Sequence, residues 1–377
     1  MSGEGLAVSS SIRYAELTTP APIIELDILE RNISAMAQRL HAAGIGHRPH
    51  IKSHRSVAIA RRQLAAGAIG ITTAKLAEAE VFADAGVASI LLAYPIIGAD
   101  KLSRFERLHV RPDLELLTTV DSLAGARGLA AVGMRTGHPV RVLIELDGGL
   151  QRGGRQPGSD AVAFALAVQA LDGIEVAGLM GYFGTIYGRR GEAELATAAR
   201  AEARILEEAA QQCRRAGLAV PILSGGTSPA AMMSGQMTGV TEARAGNYVF
   251  FDASGIGLGL ATEADCALRV IATVVSTPAP GRATIDAGTK TLTSDKAHHR
   301  DGFGLVVGRP DVRVVMLNEE HGFLQYDPAG PPLAIGERVE LIPNHACVIP
   351  NLHPRVAGVR EGRLCEWIEI DARGCSY

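Results

Sequence analysis

The sequence predicts a parallel (β/α)8 barrel followed by a smaller all-β domain. Between residues 21 and 265, nine short apolar runs alternate with helix-like stretches. Repeated βα units in that number favour a closed parallel barrel over an open sheet. After residue 265 helix signals fade, and strand-like runs are separated by Gly and Pro turns. No Gly-x-Gly-x-x-Gly follows the first run, which speaks against a dinucleotide fold.

The expected strands of the first part are residues 22–27, 46–53, 70–73, 89–95, 114–121, 142–147, 176–184, 221–226 and 243–252. Residues 28–43 carry apolar side chains at three- and four-residue spacing, the helical period. Residues 74–85, 161–171 and 191–216 are rich in the helix formers Ala, Leu, Glu and Arg. The later strands are expected at 268–275, 282–286, 312–317, 338–342 and 367–370, with a hairpin over 359–364. The division that follows is a barrel at 21–265 and a β-domain built from 1–20 and 266–377.

The 377 residues are enough for one large and one small domain, and almost half are hydrophobic. A net charge of −3 with no basic tract excludes nucleic acid as an expected partner. The apolar runs have strand length, so no membrane span is expected. Met1-Ser2-Gly3-Glu4 begins no signal peptide pattern. Five scattered cysteines suggest reduced thiols and a cytoplasmic setting.

Working residues in such a barrel sit at the C-terminal ends of strands. Several expected strand ends here are polar: Lys52 with His54, Thr72-Thr73, Tyr94, Asp121, Asp147, Tyr182 and Ser224–Thr227. Lysines are scarce, at positions 52, 75, 101, 290 and 296 only. Lys52 lies between His50 and His54; on a barrel strand it would be desolvated, which lowers its pKa and makes it a good Schiff-base amine. That makes it the candidate to carry pyridoxal 5'-phosphate, against the plainer reading of a surface lysine. The small residues of Ser224-Gly225-Gly226-Thr227 expose backbone N–H groups suited to a phosphate, although Gly-Gly is common in any turn. Gly246-Asn247-Tyr248, at the expected last strand, is a second phosphate candidate, since barrel phosphate sites favour the last two strands. Arg152, in a Gly-rich strand end, is either a contact to the cofactor ring or an ordinary surface residue. His345 and Cys347, two apart on an extended chain, point to one side and form a soft pair favouring zinc. Two ligands are few, so water or substrate would complete the coordination; the plainer reading is a buried Cys beside a structural His. Glu319-Glu320-His321-Gly322 is a polar loop or a site wall.

Together these segments resemble the D-threonine aldolase and D-serine dehydratase group of fold-type III pyridoxal-phosphate enzymes, relatives of alanine racemase. The resemblance runs from Thr19-Pro20, Glu25-Leu26-Asp27 and Asn32 through Arg48-Pro49-His50-x-Lys52-x-His54, Glu78-Ala79-Glu80, Glu145-x-Asp147 and Arg152 to Gly178-Leu179 with Tyr182. It continues in Ser224-Gly225-Gly226, Gly246-x-Tyr248, Asp252, Asp286-Ala287-Gly288-x-Lys290, Glu320-His321-Gly322 and His345-x-Cys347. It implies an alanine racemase-like barrel with Lys52 as catalytic lysine, and His50, Arg152, Tyr182, the Ser224–Thr227 turn and Gly246–Tyr248 around the cofactor. It also implies a metal at His345 and Cys347 beside the cofactor, a D-configured β-hydroxy amino acid as substrate, and a homodimer. In this group H-x-C marks zinc dehydratases, whereas aldolases carry H-x-D and prefer manganese. The aldolase pattern Y-H-G-x-x-Q-H is here Tyr182-Phe183-Gly184-Thr185-Ile186-Tyr187-Gly188, with both histidines absent. The expected activity is therefore dehydration to a keto acid and ammonia. The alternatives are retro-aldol cleavage and racemization; a non-catalytic cofactor carrier is disfavoured by the β-domain.

Overall fold

The computed structural model describes residues 13–377. It divides into two compact units: Ser34–Tyr248 with Gly374–Tyr377, and the residues up to Ile33 with Val249–Arg373.

The chain enters through β1 (Ala21–Glu25) and the helix Leu26–Ala42, then builds the barrel unit. Its strands are β2 (Gly46–His47), β3 (Ile71–Thr73), β4 (Ser89–Leu92), β5 (Glu115–Val120), β6 (Val140–Asp147), β7 (Ile174–Tyr182), β8 (Ile222–Gly225) and β9 (Glu242–Ala243). All eight are parallel, in the order β2-β9-β8-β7-β6-β5-β4-β3. A parallel bridge between His50 and Thr72 joins the two ends of that order and closes the ring. Inside the ring, Leu91, Leu117, Leu143, Ala177 and Met180 form one apolar cluster. Side chains two residues apart share a strand face. Thr119, Asp121, Glu145 and Tyr182 therefore continue the faces of Leu117, Leu143 and Met180 towards the C-terminal strand ends. An apolar floor thus carries a polar upper layer.

The second unit is antiparallel apart from one pairing. Its strands are β10 (Leu268–Ala279), β11 (Arg282–Ile285), β12 (Leu305–Val306), β13 (Arg313–Leu317), β14 (Gly322–Gln325), β15 (Arg338–Ile342), β16 (Arg355–Arg360) and β17 (Arg363–Glu369). The pairings β10-β11-β14-β13-β12-β15 return to β10 and close a six-stranded ring. β1, β16 and β17 extend from β10, with β1 and β16 parallel.

Three expectations change, and one hairpin is found where it was expected. The run at 22–27 is not a barrel strand, because β1 pairs with β10 and β16 in the second unit. Ile23 and Ile24 are both fully buried there, and burial on both faces leaves no alternation from which a partner can be read. The run at 243–252 is strand only at Glu242–Ala243, and a one-turn 3-10 helix follows at Asn247–Val249. Strands β12 and β14 were not expected; at two and four residues they carry too little pattern. The hairpin expected over 359–364 is the turn joining β16 to β17, with Glu361 (φ 49°) and Gly362 (φ 73°) both left-handed. That is the turn whose twist matches paired strands. Of the 1–20 segment given to the β-domain, residues 1–12 lie outside the described residues.

Candidate active site

In the barrel unit the lysine segment is a turn rather than a strand. Ile51–Ser53 is one turn of 3-10 helix, and Lys52 is exposed while Ile51, Ser53 and His54 are buried. The burial expected of Lys52 on a barrel strand is therefore not seen: its neighbours on both sides are buried while Lys52 itself is exposed. The turn is anchored on both sides. Arg55 (φ 53°) forms an ion pair with fully buried Glu78, Nε to Oε1 at 2.9 Å. Glu78 Oε2 in turn accepts from the backbone N–H groups of Ala74 (2.6 Å) and Lys75 (3.2 Å). Burial raises the Glu78 carboxyl from its ordinary value, while Arg55 and these N–H groups oppose the rise.

His50 and His54 differ in role. Burial, with the positive charges of Lys52 and Arg244, holds the His50 imidazole well below its ordinary pKa. Its Nδ1 is buried without a hydrogen-bond partner among the described residues. His54 is a structural residue: Nδ1 accepts from Ser56 N–H at 3.1 Å, so Nε2–H donates to Gln63 Oε1 at 3.1 Å. Burial lowers its pKa to about 4. Gln63 Nε2 donates on to Tyr248 Oη at 2.9 Å. The Tyr248 side chain is thus buried in that network, packed edge-on with the His47 ring, and its backbone N–H donates to Ser228 Oγ at 3.1 Å, so neither faces the expected phosphate site.

The phosphate turn also divides. Ser224 Oγ donates to Glu242 Oε1 and accepts from Arg244 Nη1, both at 2.7 Å. The Gly226 N–H donates to Glu202 Oε1 at 2.5 Å, and Gly226 has φ +75°. These two groups face into the protein. Thr227 Oγ1 caps the short helix Ser228–Met232. Gly246 touches the lysine turn: a Cβ there would lie 2.6 Å from His50 O and 2.7 Å from Ser53 Oγ. Around the mouth, the Arg152 guanidinium lies 4.5 Å from the Tyr182 ring centroid, joining two residues expected at the cofactor. Buried Arg244 donates from Nη2 to Gly181 O at 2.7 Å. Arg244 escaped the sequence reading and Glu145 entered it only as part of the family pattern, since nothing in the chain marks their inward direction; Glu145 interacts with Asp121, Arg244 and Arg152, and burial raises its pKa. An exposed lysine, a neighbouring His50 that feels the charges of both Lys52 and Arg244 and has an unpartnered ring nitrogen, and a glycine with no room for a side chain fit an anionic aromatic cofactor such as pyridoxal 5'-phosphate.

The second candidate group lies in the other unit, after β15. His345 is extended and Cys347 sits in a 3-10 turn, Ala346–Val348, not on the extended chain that was expected. Their side chains still meet. The neighbouring Cys347 sulfur, then Asp252 and Asp295, raise the His345 imidazole to about 10 against the opposing effect of burial. Asp252 Oδ2 accepts from Ala346 N–H at 2.9 Å, fixing the peptide between the two side chains. Among the described residues no group of three or more His, Cys, Asp or Glu side chains is arranged to hold a metal. The imidazole and sulfur donors suit a borderline-soft divalent ion that keeps open positions. Glu319, Glu320 and His321 form an exposed turn between β13 and β14, with Lys290 Nζ 2.7 Å from Glu320, so the polar-loop reading applies.

Comparison with known proteins agrees with both units. Residues 24–254 match the family model of the alanine racemase N-terminal domain, and residues 267–359 match that of a putative serine dehydratase domain. The chain is 37% identical over 351 residues to D-threo-3-hydroxyaspartate dehydratase from Delftia sp. (strain HT23), covering 88% of this chain and 91% of the relative. It is 33% identical over 370 residues to D-threonine aldolase from Arthrobacter sp, covering 96% and 94%. The solved structure of D-threonine aldolase from Filomicrobium marinum superposes with a TM-score of 0.90 at 32% identity, over 98% of this chain and 100% of that one. Solved forms of the D-threo-3-hydroxyaspartate dehydratase include a histidine-to-alanine mutant and a cysteine-to-alanine mutant in the metal-free form. The chain belongs to the alanine racemase N-terminal-domain family of fold-type III pyridoxal-phosphate enzymes, with a serine dehydratase domain as its C-terminal part.

Proposed function

We propose that this chain is a pyridoxal-phosphate- and zinc-dependent lyase that dehydrates a D-configured β-hydroxy amino acid to a keto acid and ammonia. Named relatives dehydrate or cleave such amino acids, so a lyase of this substrate class is the common ground. The observation that carries dehydration is the His345–Cys347 pair, whose imidazole and sulfur interact directly. A sulfur ligand favours zinc over manganese, and zinc is the better Lewis acid for a leaving hydroxyl. The loop after β7 adds to this: Phe183 is buried where an aldolase has histidine, and a phenyl ring takes no proton from a substrate hydroxyl.

When bound, pyridoxal 5'-phosphate supplies an electron sink for the charge that develops at the substrate Cα. The protein's own contributions are separate. Lys52 Nζ carries the cofactor and afterwards takes the Cα proton. Arg152 and Tyr182 hold the ring; His50, kept neutral by burial, lies beneath the lysine turn as an uncharged contact. The backbone of Gly225, Thr227, Gly246 and Asn247 is the region assigned to the phosphate, with Ser224, Gly226 and the Tyr248 side chain supporting it from behind. His345 and Cys347 would hold the metal, which would supply Lewis-acid chemistry at the β-hydroxyl. The cysteines form no disulfide, which fits a cytoplasmic enzyme, and we assign it as a homodimer by family likeness.

Incubation with D-serine, D-threo-3-hydroxyaspartate and D-threonine tests the reading, with ammonia, keto acid, glycine and aldehyde assayed in parallel. Ammonia and keto acid in equal amounts, lost on chelation and restored by zinc, are expected. Glycine with an aldehyde would replace dehydration by retro-aldol cleavage, and full activity of Cys347→Ala after chelation would remove the metal from the mechanism.

A further inference from the structure

We propose that Asp295 is the positioning carboxylate of the metal pair: it fixes the His345 ring so that Nε2, and not Nδ1, faces the metal. The inference rests on the metal reading given above. Asp295 Oδ2 lies 2.7 Å from His345 Nδ1. A carboxylate only accepts, so Nδ1 carries the hydrogen and donates it, and the lone pair is left on Nε2. Carboxylates in this position set the tautomer and orientation of ligating imidazoles and raise their basicity.

The contact is built in rather than incidental. Asp295 lies 50 residues before His345 in the chain, yet the two segments are clamped together by Asn344, the residue preceding the ligand. Asn344 is 2% exposed. Its side-chain amide donates to Asp295 O at 3.0 Å and to Gly302 O at 2.9 Å. The two carbonyls lie on either side of the intervening loop, so one buried amide fixes that loop against the ligand segment. Asp295 N–H is in turn held by Thr293 Oγ1 at 3.0 Å, and Thr293 is a buried non-glycine residue at φ +67°. Such a backbone persists only where its surroundings over-determine it. Ser254 completes the frame: its Oγ donates to Asn344 O at 2.9 Å and accepts from His298 N–H at 3.2 Å. Backbone, amide and hydroxyl contacts thus converge on one side-chain contact, Asp295 to His345. The Asp295 side chain is itself 43% exposed, so it has little part in the core, and its fixed geometry within this frame has the metal ligand as its object.

The experiment is zinc affinity of the full-length protein, stripped by chelator and titrated with zinc against a chromogenic competitor. Wild type, Asp295→Ala, Asp295→Asn, His345→Ala and Cys347→Ala are compared, with cobalt(II) absorption as a second readout of ligand geometry. Asp295→Ala is expected to weaken zinc about 10- to 100-fold and to shift the cobalt bands. Asp295→Asn, which can still accept from Nδ1–H, is expected to fall between Ala and wild type. His345→Ala and Cys347→Ala are expected to lose zinc. If those two lose zinc while Asp295→Ala binds it as wild type does, the role of Asp295 is overturned and the metal site stands. If His345→Ala and Cys347→Ala bind zinc like wild type, the metal site itself falls. Circular dichroism of the stripped proteins keeps loss of fold apart from loss of affinity, and a misfolded Asp295→Ala leaves the Asn variant to decide.

Discussion

Glu202 shows how a single side chain sets a property invisible in its sequence neighbourhood. It lies on the helix Glu192–Arg215, a stretch that reads as an ordinary amphipathic helix, yet it is 2% exposed and reaches the Gly226 N–H. Its Oε2 has no partner among the described residues. Burial raises its pKa from 4.5 to about 7, with the Gly226 N–H and Arg244 opposing. Below pH 4.5 the carboxyl is protonated folded or unfolded and costs nothing. Between 4.5 and 7 the unfolded chain ionises it and the folded one does not, so stability falls as pH rises across that window and stays lower above it. Glu202→Gln is expected to be similar to wild type near pH 4.5 and more stable at pH 8, by on the order of 3 kcal/mol. Urea unfolding at both pH values measures it; an equal pH slope in the two proteins would show that the carboxyl is solvated.

At the scale of elements, the lysine turn depends on a neighbour from another βα unit. Residues 51–55 form one 3-10 turn and a left-handed residue, a conformation with little intrinsic preference for itself. The Arg55–Glu78 pair, with side chains 11% and 0% exposed, holds it. Removing one member of a buried pair leaves the other charged and uncompensated, which costs about 3–5 kcal/mol. Glu78→Ala is expected to lower the urea midpoint accordingly and to weaken cofactor retention, read from absorbance after dialysis. Arg55→Ala with Glu78→Ala together should cost less than the sum of the two, since no lone charge then remains; an additive double variant would refute the pairing. The motif around Lys52 was legible because its residue types are unusual together. Its shape was not, because the turn is imposed by Glu78 and by Gly246, which closes against His50 and Ser53.

At the scale of the molecule, the chain leaves the barrel unit at Tyr248 and rejoins it at Gly374. Within that unit Ala77 N–H donates to Tyr377 O at 3.2 Å, Arg55 Nη2 donates to Ser376 Oγ at 3.2 Å, and the Arg104 guanidinium lies 5.1 Å from the Tyr377 ring centroid. Two modest hydrogen bonds and one cation–π contact are together worth about 1–3 kcal/mol. Deleting residues 374–377 should lower the barrel unit's stability by that amount, and an unchanged urea midpoint would mean the segment contributes nothing.

The fold class was legible in the sequence, and so were the residue types that make Lys52 and the H-x-C pair candidates, because each is written in local pattern: the alternation of βα units, the scarcity of lysine, and two metal-binding residue types two apart. Only the tertiary structure decided which sheet β1 joins, since a strand buried on both faces carries no mark of its partner. It also turned Ser224 Oγ and the Gly226 N–H inward, buried the Tyr248 ring, and brought Glu202, Arg244, Asp252 and Asp295 to groups far away in the chain. Those contacts are made by hydrogen bonds and charges across tens to hundreds of residues, and period and composition hold no record of them.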